Sequence, residues 1–296
     1  MKKDFRIAFF GTPQFAVAIL EELKKAHIHP AVIVTAPDAP KGRGMILTPP
    51  EVKVWADTEG IAVLQPTTLK LDRGADADRD ILYNSEWDLF IVASYGKILP
   101  QSLLDIPRHG TLNVHPSLLP LYRGASPIRS AILEDAPDAV GVSIMLLDSG
   151  MDSGPILAQG RVGLERETGD WPPHAEMLEE LLAHEGGELL AEVIPLWVAG
   201  TITPEAQDHT RATFSQKIQK EMGRLDLADD PYQNFLKIRA LEGWPGTFFF
   251  VEKNGTQLRI KITDATYANG TLSIISVIPE GKKEMLYEDF LKQLPA

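Results

Sequence analysis

The sequence predicts an α/β chain, with a mostly parallel sheet over its first two hundred residues and a small β-rich domain behind it. Three observations predict this. Short apolar, β-branched runs alternate with stretches of helical periodicity, and alternating β and α elements bury a parallel sheet under helices on both faces. A polar, proline-containing stretch, Thr201–Thr210, then interrupts the pattern. Beyond it, two Asn-Gly pairs separate strand-like runs, the usual signal of hairpins.

Taken in order, Ile7–Phe10 is an unbroken apolar run, as a strand covered on both faces requires, and Gly11-Thr12-Pro13 closes it. Phe15–Lys25 has apolar residues at helical spacing, with Glu21, Glu22, Lys24 and Lys25 on the outer face. Ala31–Thr35 is a second strand, Val52–Glu59 a helix and Ala62–Leu64 a short strand. Leu89–Ala93 and Thr111–His115 are buried strands, and Val142–Leu147 and Ile156–Val162 follow. Glu176–Val198 is helical in pattern, although Pro195, lacking an N–H, should kink or divide it. Ser215–Glu221 and Tyr232–Ala240 are expected helices. After Trp244-Pro245-Gly246 come strands Phe248–Glu252, Arg259–Thr263 and Leu272–Val277, with turns at Asn254-Gly255 and Asn269-Gly270.

A chain of 296 residues, 44% hydrophobic and 24% charged, can fill two ordinary cores. The expected division is residues 1–200, a linker at 201–210 and a second domain at 211–296. Cysteine is absent, which removes disulfides, thiolate catalysis and cysteine metal sites, and suits a reducing cytoplasm. The basic start Met1-Lys2-Lys3 is broken by Asp4 and Arg6 before a signal core forms, and no apolar run reaches membrane-spanning length. A net charge of −12 argues against a nonspecific binder of DNA or other nucleic acid. That charge is uneven: residues 205–296 carry 12 basic and 13 acidic side chains, so the excess sits in the first domain.

Gly11-Thr12-Pro13 lacks the glycine spacing of a dinucleotide fingerprint and reads as a tight turn at the carboxyl edge of the sheet, where ligands of open α/β sheets bind. The richer stretch is Asn113-Val114-His115-Pro116-Ser117-Leu118-Leu119-Pro120, continuing to Arg123-Gly124 and Pro127. Asn113 and His115 lie two apart at a strand end and therefore share a face. An amide beside an imidazole can hold an oxyanion, and the imidazole can move a proton. A polar cap on a strand end is the alternative. Asp148 closes the next apolar strand and could orient the imidazole or take a proton, or serve only as a turn residue. Asp152 lies inside the glycine-rich turn and is expected to serve the turn alone.

The pattern N-x-H-x-S-L-L-P-x-x-R-G-x-x-P, with a later D-x-G-x-D-x-G, resembles the folate-dependent formyltransferases. The resemblance implies a Rossmann-like catalytic domain with Asn113, His115 and Asp148 as catalytic trio, 10-formyltetrahydrofolate as donor and no metal. It also implies folate binding along Ser117, Leu118, Leu119 and Pro120, with a second wall from Tyr95, Gly96, Lys97, Ile98 and Leu99. Phe9-x-Gly11-Thr12-Pro13-x-Phe15-Ala16, Thr35-Ala36-Pro37-Asp38, the Gly42-Arg43-Gly44 loop, Thr213–Ile218, Ile238–Leu241 with Trp244-Pro245-Gly246, Pro279–Met285 and Glu288–Leu291 resemble the members acting on methionyl-tRNA. For those the implied acceptor is initiator methionyl-tRNA, contacted by Lys41, Arg43, Lys217, Lys282 and Lys283, with an OB-like second domain. Two departures stand out. Met45-Ile46-Leu47 replaces a lysine pair usual in the family, and the second domain has fewer strands, as if trimmed. The alternatives are a sugar-amine N-formyltransferase with the same donor and a folate-binding protein without turnover. Neither DNA nor a membrane is an expected partner.

Overall fold

The computed structural model describes residues 5–42, 44–164, 171–253 and 255–294. Two compact units emerge, and they do not follow chain order. One contains Met1–Arg123, Gly141–Val162 and Glu179–Phe214; the other contains Gly124–Val140, Gly163–Leu178 and Ser215–Ala296.

The first part of the chain gives β1 (Ile7–Gly11), α1 (Gln14–Lys25), β2 (Val32–Val34), the hairpin β3 (Ala39–Lys41) and β4 (Ile46–Thr48), α2 (Glu51–Glu59) and β5 (Ala62–Leu64). It continues with α3 (Ala77–Asn84), β6 (Leu89–Ala93), α4 (Gln101–Leu104), β7 (Thr111–His115), the two-residue β8 (Arg123–Gly124) and α5 (Pro127–Leu133). Then come β9 (Gly141–Leu146), β10 (Ile156–Arg161) and α6 (Ala175–Val198). The seven-stranded sheet has the order β10-β9-β7-β6-β1-β2-β5. The strands from β5 to β7 in that order pair in parallel, whereas β9 pairs antiparallel with both β7 and β10. Every residue of β1, β6 and β7 is buried; continuous apolar runs anticipate this for β1 and β6, whereas β7 buries Thr111, Asn113 and His115 along with its apolar residues. On one face Phe10 meets Phe90 and Tyr95 edge-on, at centroid distances of 5.1 and 5.5 Å.

Helix α6 stays a single element with Pro195 inside it. The proline removes one hydrogen bond, and the helix still closes through Ala199 N–H to the Pro195 carbonyl at 3.1 Å. Gly186 and Gly187 let α6 approach its neighbours closely: a Cβ at Gly186 would meet Val114 Cγ1 at 2.7 Å, and one at Gly187 would meet Glu22 Cβ at 2.7 Å.

In the second unit the expected helix at Ser215–Glu221 is absent. The segment forms β11 (Phe214–Ser215), an irregular stretch and a 3₁₀ turn at Lys220–Gly223. Ile218 is its sole apolar side chain, too little for the apolar stripe that holds a short helix on a core. Helix α7 (Pro231–Ala240) is followed by β12 (Thr247–Lys253), β13 (Thr256–Ala268), β14 (Thr271–Pro279), β15 (Met285–Leu286) and α8 (Tyr287–Leu291). These four strands pair antiparallel in chain order around Phe249, Ile260, Ile262, Val277 and Phe290, leaving β12 and β15 at the edges. Asn254 of the first hairpin signal lies outside the described residues; Asn269 turns the second with φ 52°.

Candidate active site

β1, β6 and β7 are adjacent and co-directional, so their carboxyl ends open onto one edge of the sheet. Thr12 Oγ1 donates to the Tyr95 carbonyl at 3.2 Å and ties the loop after β1 to the loop after β6. Ser94 and Gly96 both take positive φ, 49° and 80°, which turns the backbone sharply as it leaves the strand. A non-glycine residue there is strained, as is common beside ligand sites.

Asn113 and His115 occupy one face of β7, paired with Met145 and Ser143 of β9, and both are buried. His115 Nε2 lies 3.0 Å from the Tyr122 carbonyl oxygen. A carbonyl can only accept, so that nitrogen carries the proton and Nδ1 of the neutral ring presents its lone pair. Burial pushes the imidazole below its ordinary value near 6.5, while Asp152 and the Tyr122 carbonyl pull the other way. Neutral imidazole is therefore the resting form at neutral pH.

The carboxylate facing Nδ1 is Asp152, with Oδ2 at 3.8 Å. Asp148, the carboxylate expected to orient the imidazole, is exposed and accepts from Gly150 N at 2.9 Å and Ser153 Oγ at 3.0 Å. The reason is the path of the turn. β9 ends at Leu146, and β10 returns antiparallel with Ile156 opposite Met145. The residue deep in the returning turn comes over the histidine, while the one that closes the strand caps the turn from outside. Asp152 has φ 48°, a left-handed conformation that short polar side chains tolerate best. At Gly154 a Cβ would collide with the Leu146 carbonyl, so glycine is required for the chain to return this closely.

Sequence reading missed the residues that shape the loop after β7. Ser143, fully buried on β9, accepts from Leu119 N at 3.0 Å and donates to the Ser117 carbonyl at 2.7 Å. Gln159 Nε2 donates to the Leu119 carbonyl at 2.9 Å and to Ser143 Oγ at 2.7 Å. Ser117 Oγ donates to the Leu121 carbonyl at 2.6 Å. A hydroxyl in the middle of the apolar run Val142–Leu147 was the available signal, because a buried polar group needs a partner.

Of the residues expected to border folate, Ser117, Leu118 and Leu119 are buried and Pro120 is half-buried, and the carbonyls of all four already accept hydrogen bonds within the protein. Tyr95 and Leu99 turn into the core of the sheet and do not present side chains outward. Gly96 and Ile98 are exposed, and Ile98 is 92% accessible. Lys97 Nζ donates to the Pro66 carbonyl at 2.7 Å, and burial lowers its pKa.

Among the expected RNA contacts, Lys41 lies on β3 and pairs with Glu51 at 2.8 Å, while Arg43 lies outside the described residues. Lys217, Lys282 and Lys283 are exposed in the second unit, with Lys282 Nζ donating to Gln293 Oε1 at 2.7 Å. Beside the hairpin, Met45, Ile46 and Leu47 are 69, 70 and 65% exposed. Among the described residues no three His, Asp or Glu side chains cluster as metal ligands, and no helix is long and apolar enough to cross a membrane.

The family model described as formyl transferase matches residues 5–194. A methionyl-tRNA formyltransferase of Chloroflexus aurantiacus is 42% identical over 268 residues, covering 90% of this chain and 82% of that protein. One from Bacillus licheniformis is 36% identical over 314 residues, covering 97% and 94%. The crystal structure of an N-formyltransferase from Helicobacter canadensis, in complex with folinic acid and dTDP-3-aminofucose, shares the fold with a TM-score of 0.60 at 17% identity, covering 91% of this chain and 95% of that one. Matched by the family over most of its length and by close relatives over nearly all of it, the chain belongs to the formyl transferase family, among its methionyl-tRNA formyltransferases.

Proposed function

We propose that this chain transfers the formyl group of 10-formyltetrahydrofolate to the free amino group of initiator methionyl-tRNA, in the cytoplasm, with Asn113, His115 and Asp152 as the reacting constellation. The observation that carries the assignment of residues is the Asp152 carboxylate 3.8 Å from His115 Nδ1, beside Asn113 at the open end of β7. The relatives' shared activity supports the donor and the acceptor.

The loop Ser117–Pro120 at the end of β7 and the strained Ser94–Gly96 turn at the end of β6, with exposed Ile98, border the folate ring in this reading. Bound there, the folate supplies an activated formyl carbon. The Asn113 amide donates to the formyl oxygen as it gains charge. His115, neutral and held through Nε2–H by Tyr122, takes at Nδ1 the proton released by the attacking amine. Asp152 stabilises the resulting imidazolium, which then protonates the departing folate nitrogen. A separation of 3.8 Å is looser than a direct hydrogen bond and is expected to tighten when both substrates are bound. Asp148 keeps a shaping role, through its bonds to Gly150 and Ser153. In this reading residues 1–200 perform the transfer, 201–210 join, and 211–296 meet the RNA through Lys217, Lys282 and Lys283, with Lys41 and Arg43 contributing from the first domain.

The test is formyl transfer from 10-formyltetrahydrofolate to charged initiator tRNA, in wild type, Asn113→Ala and Asp152→Asn. Turnover in wild type and its loss in both variants is expected. Transfer to a nucleotide-linked amino sugar but not to tRNA would keep the chemistry and replace the acceptor. Folate binding without any transfer would replace the enzyme by a carrier.

A further inference from the structure

We infer that Gln207 is a positioning residue for the reaction, its carboxamide fastening the Asp152–Gly154 turn to the buried guanidinium of Arg123. The inference rests on Asp152 being the carboxylate that serves His115. Gln207 and Arg123 are 6 and 4% exposed. Gln207 Oε1 accepts from Arg123 Nε at 3.1 Å and Nη2 at 2.7 Å. Its Nε2 donates to the Asp152 carbonyl at 2.9 Å and the Gly154 carbonyl at 2.7 Å. A guanidinium only donates and a carbonyl only accepts, so reversing the amide would break all four bonds. The orientation is thereby determined without ambiguity.

The other end of this bridge leads back to the histidine. Tyr122, directly before Arg123, supplies the carbonyl that holds His115 Nε2. Both members of the pair, distant in sequence, are thus referenced to the single dipeptide Tyr122-Arg123: His115 directly, Asp152 through Gln207. Tyr122 and Asp152 are both non-glycine residues with positive φ, 55° and 48°. Such conformations persist when surrounding bonds over-determine them, which is what Gln207 does on the Asp152 side. The segment carrying Gln207 is itself held: Glu205 and Ile156 exchange two backbone bonds of 2.8 Å, and Thr213 bonds Tyr122 N through Oγ1 at 2.8 Å and Arg123 N through its carbonyl at 2.9 Å. The polar stretch read from the sequence as a linker belongs to the first compact unit.

Formyl transfer to methionyl-tRNA is measured with the full chain as wild type, Gln207→Ala, Gln207→Glu, Asp152→Asn and the Gln207→Ala, Asp152→Asn double variant. Gln207→Ala is expected to lower kcat roughly 10- to 100-fold, the effect of displacing a reacting group by about 1 Å, with KM for the folate donor unchanged. Its acid limb of kcat/KM moves to lower pH, as in Asp152→Asn, because the carboxylate no longer favours the protonated imidazole. In the double variant the second substitution adds nothing, since both act on one group. Gln207→Glu keeps the acceptor for Arg123 but sets an oxygen against two carbonyls, and falls at least as far. Additive losses or an unmoved acid limb overturn the inference. So does a Gln207→Ala chain without a cooperative thermal transition, which would assign the side chain to the fold. If Asp152→Asn itself turns over normally, the reading of the site fails; if it is impaired while Gln207→Ala is not, the positioning role alone fails.

Discussion

Two aspartates four positions apart have different surroundings, Asp152 facing His115 and Asp148 bonding its own turn, and exchanging an oxygen for an amide tests them separately. Asp152→Asn is expected to reduce formyl transfer on the order of 100-fold, as for loss of an assisting acid–base group. Asp148→Asn, which leaves His115 untouched, is expected to stay within about tenfold of wild type, because it loses turn bonds at an exposed site. Single-turnover rates with saturating folate check both, and equal losses would remove the distinction. The same histidine sets a pH dependence. Protonation at Nδ1 consumes the lone pair, so activity falls as pH falls, and burial places that limb below the ordinary histidine value near 6.5. A limb above 6.5 would mean that the Asp152 charge outweighs burial.

At the scale of elements, α6 and the loop after β7 are held by close contacts that tolerate little change. Gly186→Val would press into Val114 and Val142, and is expected to cost about 1–3 kcal/mol by overpacking, read as a lowered denaturation midpoint. Ser143→Ala removes the acceptor of Leu119 N–H and one partner of Gln159. An unsatisfied buried donor costs about 1–3 kcal/mol, so the variant should be less stable and should bind folate more weakly if the Ser117–Pro120 loop borders the ring. Unchanged folate affinity in a folded Ser143→Ala would detach this loop from donor binding.

Over the whole molecule, an acidic chain meets a polyanion. With a net charge of −12, RNA affinity must come from local clusters. Lys282→Glu with Lys283→Glu is expected to raise KM for methionyl-tRNA severalfold and flatten its salt dependence, leaving kcat at saturation unchanged. An unaffected KM across 50–200 mM salt, a range over which phosphate contacts lose affinity steeply, would place the RNA contacts elsewhere.

Much of this was legible in the residues. Continuous apolar runs marked β1 and β6, Asn-Gly pairs marked the hairpins, and the N-x-H spacing of β7 put Asn113 and His115 on one face, since alternation along a strand is a local property. Short elements were not legible: α3, α5 and the β3–β4 hairpin carry too few periodic apolar positions to stand out from loops. The sequence points to Asp148 because strand ends can be read locally, whereas the carboxylate that faces His115, Asp152, depends on where an antiparallel return folds the turn. Local pattern therefore carries the elements and the chemistry they can offer. Which carboxylate meets the imidazole, and that Gln207 and Arg123 hold it there, was decided by contacts between residues far apart in the chain, which only the folded structure brings within hydrogen-bonding range.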